Sequence, residues 1–444
     1  MRPSVDVQDY LDTLPFSRTQ RLVLWLCFLI VAVDGFDTAA IGFIAPSIRA
    51  QWGLSAAALA PLFGAGLFGL MLGALIFGPL ADRLGRKRIL GWSVAFFGLM
   101  SLVSIWAPDL TTLTALRFLT GLGLGGAMPS AITLTSEYCP SKRRSSLVTL
   151  MFCGFTVGSA LGGLASAQIL SHFGWQGVLF VGGVLPLLLV PFLVRLLPES
   201  LRFLVLRQRP QADIDRIIRR LDATADPDTL PLLTAREAAT RAPISELFRK
   251  PYATGTALLW MSFFMSLLII YLISSWLPTL LTGAGADIRT ASLVTSVFQI
   301  GGTVGAILLG RLMDGVGSAR ALAIAYVAGA GFVLLCAASS ANLGMLVMSV
   351  FGVGFCISGS QVGANALAAS YYPTGSRATG VSWANAAGRT GSVVGSLSGG
   401  WLVSMNFNAA SILAMLAVPA LIAALGIALL GRQDAIRRSA AAVA

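Results

Sequence analysis

The sequence predicts an all-α integral membrane fold of twelve transmembrane helices in two pseudo-symmetric six-helix bundles. Three observations predict it. Hydrophobic residues fill 56% of the 444 positions and charged residues only 11%, where a soluble domain carries about 25% charged residues. The apolar residues fall in long runs with few charges, the pattern of helices that cross a bilayer. Finally, a charged motif in the first half of the chain recurs in weakened form in the second.

The apolar runs occupy 22–45, 59–80, 89–107, 110–135, 146–170 and 177–197. After a polar interval come 253–276, 290–312, 321–339, 343–369, 378–404 and 410–431. Each is near the length that covers ~30 Å of hydrocarbon at ~1.5 Å per residue. Counted from a cytoplasmic N-terminus, the connections after even-numbered helices carry most of the Lys and Arg: Arg83, Arg86, Lys87 and Arg88, then Lys142, Arg143 and Arg144, then Arg202 through Lys250. Arg311, Arg320 and Arg377 follow, and the tail adds Arg432, Arg437 and Arg438, whereas the opposite loops offer Arg49 and Arg289. Basic residues accumulate on the cytoplasmic side, so both termini are expected there, in a plasma (inner) membrane. The formal charge of +12 is thereby accounted for as a topology marker. No contiguous basic stripe supports nucleic-acid binding.

The repeat aligns GPLADRLGRKR (78–88) with GRLMDGVGSAR (310–320), keeping Gly78/Gly310, Leu80/Leu312, Asp82/Asp314, Gly85/Gly317 and Arg88/Arg320. Its offset is 310 − 78 = 232 residues, and EYCPSKRR (137–144) aligns with SYYPTGSR (370–377) at 370 − 137 = 233. Two landmarks at nearly one offset mark a duplication, the organisation of transporters built from parallel halves. The expected domains are an N-terminal bundle at 1–198, a cytoplasmic linker at 199–250 and a C-terminal bundle at 251–444. The linker holds Pro210, Pro227, Pro231 and Pro243, with an amphipathic helix expected near 211–222.

Several function classes drop out. The cysteines (Cys27, Cys139, Cys153, Cys336, Cys356) are scattered singletons without metal-ligand or redox spacing. The acidic N-terminus (Asp6, Asp9, Asp12) reads as no cleaved signal peptide. Glycines 121, 123, 125 and 126, and 158, 162 and 163, have neither the preceding strand nor the lysine of a phosphate-binding loop; small residues instead let membrane helices approach closely. The one histidine, His172, falls in an expected outer loop, away from any intramembrane relay. No catalytic constellation is visible, so neither an enzyme, a metal nor a cofactor is expected, and a monomer is the expected state.

The run Gly-x-x-x-Asp-Arg-x-Gly-Arg-Lys-Arg between helices 2 and 3 resembles the hallmark loop of the major facilitator superfamily. DGFDTAAIGFIAPSI (34–48), RFLTGLGLGGAMPSAITLTSEY (117–138), LPESLRFL (197–204) and YYPTGSRATGVSWANAAGRTGSVVG (371–395) are similar to segments of its aromatic acid:proton symporters, in particular 4-hydroxybenzoate and protocatechuate transporters. DVQDYLDTLPFSR (6–18) is similar too, so the resemblance covers nearly the whole chain. It implies the twelve-helix fold, alternating access and import of a benzoate-like anion with protons. The connection after helix 8 lacks the histidine that some relatives carry.

Within that frame the buried ionisable residues are the candidates. Asp34 and Asp37 lie inside helix 1, three residues apart and so near one face. A carboxylate in hydrocarbon is costly and by default marks a functional site. One reading makes them the proton carriers, in keeping with the resemblance; the other makes one a cap for a helix break at Gly35, or the static partner of an arginine. Asp37 lies roughly 23 Å up helix 1 and Arg117 roughly 10 Å below the outer face on helix 4, both in the outer half, which makes Arg117 the natural partner for the aspartate pair. Arg389 sits roughly 17 Å into helix 11, close to the midplane. It reads either as a guanidinium gripping a carboxylate through paired hydrogen bonds, or as a structural arginine on carbonyls near Gly388 and Gly391. Trp383 and Asn385 precede it.

An aromatic ring needs an apolar wall with few polar anchors. Gln361 and Asn365, amides four apart on helix 10, are the better anchors; Trp260, Phe263, Phe264 and Tyr271 on helix 7 are wall candidates, or ordinary packing. The loop residues Asp82, Arg83, Gly85, Arg86 and Arg88, with the echo residues Asp314 and Arg377, are candidates for gating as well as topology. Asp82 is expected at the N-terminus of helix 11, where the helix dipole favours negative charge, and Glu137 is expected near Lys142, Arg143 and Arg144 as a second latch. Rival readings keep the fold but change the cargo to a sugar acid or dicarboxylate, reverse the direction, or make the chain a membrane sensor of aromatic acids.

Overall fold

The computed structural model describes residues 4–222, 232–234, 244–249, 251–339, 342–373 and 376–443. Much of the expected linker, with Pro227, Pro231 and Pro243, lies outside the described residues. The rest is helical apart from a two-stranded parallel pair.

Ten helices among the described residues are long and apolar enough to cross a membrane. The helices run α1 (Arg18–Trp52), α2 (Ala60–Leu84), α3 (Arg86–Val103) and α4 (Leu110–Tyr138). The stretch Arg144–Leu196 turns sharply at Gly174, whose φ of 64° and ψ of −169° divide it into α5 (144–173) and α6 (175–196). That backbone conformation is open to glycine and strained for residues with a Cβ. Where the sequence reading expected an outer loop at 171–176, a single residue makes the corner, and His172 lies on the helix just before it.

In the second half α7 (Ala253–Gly283), α8 (Ile288–Val316) and α9 (Ser318–Ala338) are continuous helices. α10 (Leu343–Tyr371) is interrupted by a π-helical turn at Gly354–Ser358. α11 (Arg377–Ser404) is long enough to span but too polar to count among the ten. α12 (Ala409–Val443) has a break at Leu416. Dividing the stretch at Gly174 and adding α11 makes twelve helices. Large apolar side chains such as Ile76, Phe180, Leu188, Ile324 and Met348 are exposed on them. A soluble monomer seldom exposes so many contiguous apolar side chains, whereas lipid is a matching solvent for them.

The chain gathers into two compact units that do not follow chain order. The first takes the described residues of Met1–Thr38, Phe68–Gly158 and Leu179–Thr240. Its core runs from Leu11 through Cys27, Ile30, Val31, Phe97, Leu124 and Tyr138 to Leu193 and Ile218. There α1 and α5 cross backbone on backbone: a Cβ on Gly35 would overlap the Phe155 carbonyl, and one on Gly158 would overlap that of Ala32. Such contact is how small residues hold membrane helices together without a hydrophobic drive.

This unit also carries a cap of short elements. β1 (Ser4–Asp6) pairs in parallel with β2 (Leu232–Thr234), and a helix at Val7–Thr13 follows β1. That helix docks on the end of α4, with Gln8 Nε2 donating to the Cys139 carbonyl at 3.2 Å and the Ser141 N–H donating to Asp12 at 2.7 Å. Burial works to raise the Asp12 carboxyl; the Ser141 and Gln8 hydrogen bonds and the Arg144 charge outweigh it and hold the group below the ordinary carboxylate range. The amphipathic helix expected near 211–222 is present at Gln211–Leu221, its Ile214, Ile217, Ile218 and Leu221 buried.

The second unit takes the described residues of Ala39–Leu67, Ser159–Val178 and Arg241–Ala444. α7 and α11 touch along their backbones, with Gly391 and Gly395 against the Phe264 and Leu268 carbonyls. Trp276 is fully buried, its indole N–H donating to the Ser396 carbonyl at 2.7 Å and its ring edge-on to Phe63.

Candidate functional site

In the first unit α1 carries Asp34 and Asp37 into the interior, 1% and 3% exposed. The helix is unbroken through Gly35, which removes the helix-break reading of these carboxylates. Asp37 Oδ1 accepts from the Ser101 hydroxyl at 2.9 Å, and Arg117 Nη1 lies 3.3 and 3.4 Å from its two oxygens. Arg117 Nη2 donates to Ser104 Oγ at 3.0 Å. Asp34 accepts from Thr38 one turn along at 3.2 Å. The sequence left the partner of Arg117 open between the two aspartates; the geometry puts the ion pair on Asp37.

This pair is not the tightest form of its kind. The strongest guanidinium–carboxylate pairs are fork-on-fork, with N···O near about 2.8 Å. Here one nitrogen serves both oxygens at longer range, and Arg117 Nε has no hydrogen-bond partner among the described residues. Ser101 on α3 and Ser104 just past its end share the load. Sequence reasoning missed Ser101 and Ser104, and the available signal was faint: two hydroxyls three residues apart in the apolar run 89–107.

At the start of α3, Arg86 stands between Asp82 at 3.0 Å and Glu137 at 3.5 Å, with its guanidinium 5.4 Å above the Phe203 ring. The next residue's N–H donates to Glu199 Oε1 at 3.1 Å, and Tyr138 donates to the Glu199 carbonyl at 2.6 Å. Gly85, at φ 111°, makes the corner into α3. Asp82 and Glu137 thus share Arg86 as an ion-pair partner. Arg144 lines a cavity of about 240 Å³ together with Asp6, Asp9, Glu137 and Arg202. Arg83, Arg88, Asp314 and Arg377 are exposed.

In the second unit Arg389 is half-buried on α11, and its Nη1 donates to Tyr271 Oη on α7 at 3.1 Å. One turn earlier, Asn385 donates to Asn365 Oδ1 on α10 at 2.9 Å, and Asn365 in turn donates to the Gln361 carbonyl at 3.0 Å. Gln361 is 8% exposed, and its Oε1 has no hydrogen-bond partner among the described residues. Trp383 is 44% exposed and stacks on Trp260 at 5.9 Å between centroids. Of the helix 7 aromatics, Tyr271 touches the arginine, while Phe263 is fully buried packing. The expected residues thus fall into an α10–α11 amide ladder and an α7–α11 arginine site.

The sequence signature of the Major Facilitator Superfamily matches residues 27–289 and 259–442. The chain belongs to the major facilitator superfamily. Its members are transporters, so these buried charges sit in a multi-pass membrane transport protein and not in an enzyme. Within the superfamily, the chain is 47% identical over 423 residues to the gallate transporter of Pseudomonas putida, covering 95% of this chain and 94% of that one. It is 43% identical over 430 residues to the 4-hydroxybenzoate transporter PcaK of Pseudomonas putida, covering 96% of each. The crystal structure of D-xylose-proton symporter matches with a TM-score of 0.72 at 19% identity, over 91% of this chain and 96% of that chain. At that identity the match speaks to the fold alone.

Proposed function

We propose that this major facilitator protein imports a small aromatic carboxylate of the benzoate type together with protons, by alternating access. The halves are the expected bundles at 1–198 and 251–444, and both termini face the cytoplasm. The names of the relatives, gallate and 4-hydroxybenzoate transporters matched along nearly the whole chain, support the substrate class.

The observation that carries the coupling is the buried Asp37–Arg117 pair. A carboxylate held at membrane depth is expensive unless it is paired or protonated. When Asp37 takes a proton its charge partner is lost, and Arg117 is left to the Ser104 hydroxyl. A pair already stretched to 3.3 Å is suited to opening and closing during a cycle. Asp34, three residues away on the same helix, is the second carboxylate of the site. Arg389 grips the substrate carboxylate: Tyr271 orients its guanidinium through one nitrogen, and a planar fork matches a planar carboxylate. The Trp260–Trp383 stack and the amides of α10 and α11 supply the aromatic wall and its polar anchors. The Asp82–Arg86–Glu137 cluster holds the cytoplasmic gate.

Uptake of labelled 4-hydroxybenzoate and gallate into proteoliposomes tests this. Accumulation above the external concentration is expected only when the lumen is alkaline. Uptake of a sugar acid or dicarboxylate with none of an aromatic acid would refute the substrate class.

A further inference from the structure

Two features of α10 are left over from the ion-pair chemistry. Gln361 is more than nine-tenths buried, yet its side-chain oxygen receives no hydrogen bond from any described residue. Buried acceptors are costly to leave without a donor, and each such case calls for an explanation. The π-helical turn Gly354–Ser358 ends three residues before it, and such turns concentrate at functional sites.

The register of α10 and α11 sets which residue stands level with Gln361. The two helices are joined by a short connection, from Tyr371 to Arg377, and are therefore antiparallel neighbours. The Asn385–Asn365 hydrogen bond of 2.9 Å sets them level at those residues. Gln361 is four residues before Asn365, and Arg389 is four after Asn385. Each is one turn, about 6 Å, farther from the connection. Gln361 and Arg389 therefore stand at one level on adjacent helices, whose axes are about 8–10 Å apart. A cation and an unmet acceptor at one level on neighbouring helices are placed to take the two ends of one small aromatic acid.

We propose that Gln361 is a specificity-determining residue whose Oε1 accepts the hydrogen of a ring hydroxyl para to the substrate carboxylate. The assignment rests on the reading of Arg389 as the carboxylate anchor. The transporter is then selective for 4-hydroxylated benzoates, which donate to Gln361, over benzoate, which leaves the acceptor unmet. A site built around a substrate hydroxyl rejects the analogue that lacks it far better than an apolar pocket rejects an added group.

The test is competition against labelled 4-hydroxybenzoate uptake in proteoliposomes, first on the wild-type protein. 4-Aminobenzoate, which keeps a donor, is expected to compete comparably; 4-fluorobenzoate, of similar size without a donor, at least ~10-fold more weakly. In Gln361→Met the apparent affinity for 4-hydroxybenzoate falls at least ~10-fold, while that for benzoate stays within ~2-fold. A thermal unfolding midpoint in detergent close to that of the wild type shows that the variant folds, and if it does not fold the wild-type series decides alone. Equal competition by 4-fluorobenzoate, or equal loss of both substrates in the variant, overturns the assignment while leaving the proposed function standing. Wild-type protein that moves no aromatic acid removes that function and this assignment with it.

Discussion

Arg117 reaches Asp37 at 3.3 Å across the interior of the first unit, and both side chains are almost wholly buried. Desolvating two charges costs several kcal/mol each, so a buried pair contributes less to stability than its Coulomb energy suggests. Removing one partner is far worse than removing both. Asp37→Asn is therefore expected to destabilise the protein by roughly 3–5 kcal/mol and to abolish accumulation driven by a pH gradient. The double variant Asp37→Asn, Arg117→Gln regains most of the melting temperature and none of the transport. Thermal unfolding in detergent and uptake assays on the three proteins separate the two effects; recovery of transport in the double variant contradicts the coupling role.

The α1–α5 crossing gives a prediction about packing alone. A Cβ on Gly158 would overlap the Ala32 carbonyl, a backbone atom that cannot swing aside, whereas one on Gly310 meets nothing within 4 Å. Gly158→Ala is expected to cost roughly 1–3 kcal/mol, the price of overpacking. Gly310→Ala is expected to gain about 0.5–1 kcal/mol from helix propensity. Melting temperatures that shift in opposite directions are the expected result.

At Arg389 the prediction distinguishes charge from shape. Arg389→Lys keeps the cation and loses the planar fork, so the apparent KM should rise at least ~10-fold. Tyr271→Phe removes one orienting hydrogen bond and should raise it a few-fold, in line with about 1 kcal/mol for a neutral partner. Uptake kinetics over a range of substrate concentrations check both, and a KM unmoved by Arg389→Lys places the carboxylate elsewhere.

The Arg86 cluster affects rate more than affinity. Glu137→Gln removes one of the two carboxylates on Arg86 and leaves the α7–α11 arginine site untouched. The expected outcome is a changed maximal rate with KM within ~2-fold of wild type, since only the conformational step is altered. A large KM change with an unaltered rate would place the cluster at the substrate.

Much of this was legible in the sequence, for identifiable reasons. Apolar period and basic placement are strong wherever a helix faces lipid, so α2 to α4 and α8 to α10 appear within a few residues of their observed ends, whereas α1 and α7 run well past the expected 45 and 276, to Trp52 and Gly283. α11 is different: its glycines, serines and Arg389 serve the interior, and its hydropathy is weaker than that of the other spans. The repeat and the apolar run at 378–404 bring it out. Gly174 shows the opposite failure. A single residue with φ of 64° can replace a loop, and composition at 170–177 does not separate the two. Side-chain partnership was the least legible level. Helical spacing put Asp34 and Asp37 near one face, but the choice of Asp37 for Arg117, and the serines that brace the pair, depend on how α3 and α4 stand beside α1. The β1–β2 pairing joins three-residue strands more than two hundred positions apart, and strands so short leave no periodicity to read.

Proton movement itself is the most direct measurement. Proteoliposomes in weak buffer, with no imposed gradient, are supplied with 4-hydroxybenzoate while external pH is recorded. The account predicts an alkaline shift outside as protons enter with the anion, present in the wild-type protein and absent in Asp37→Asn. Substrate entry with no change in external pH would contradict it.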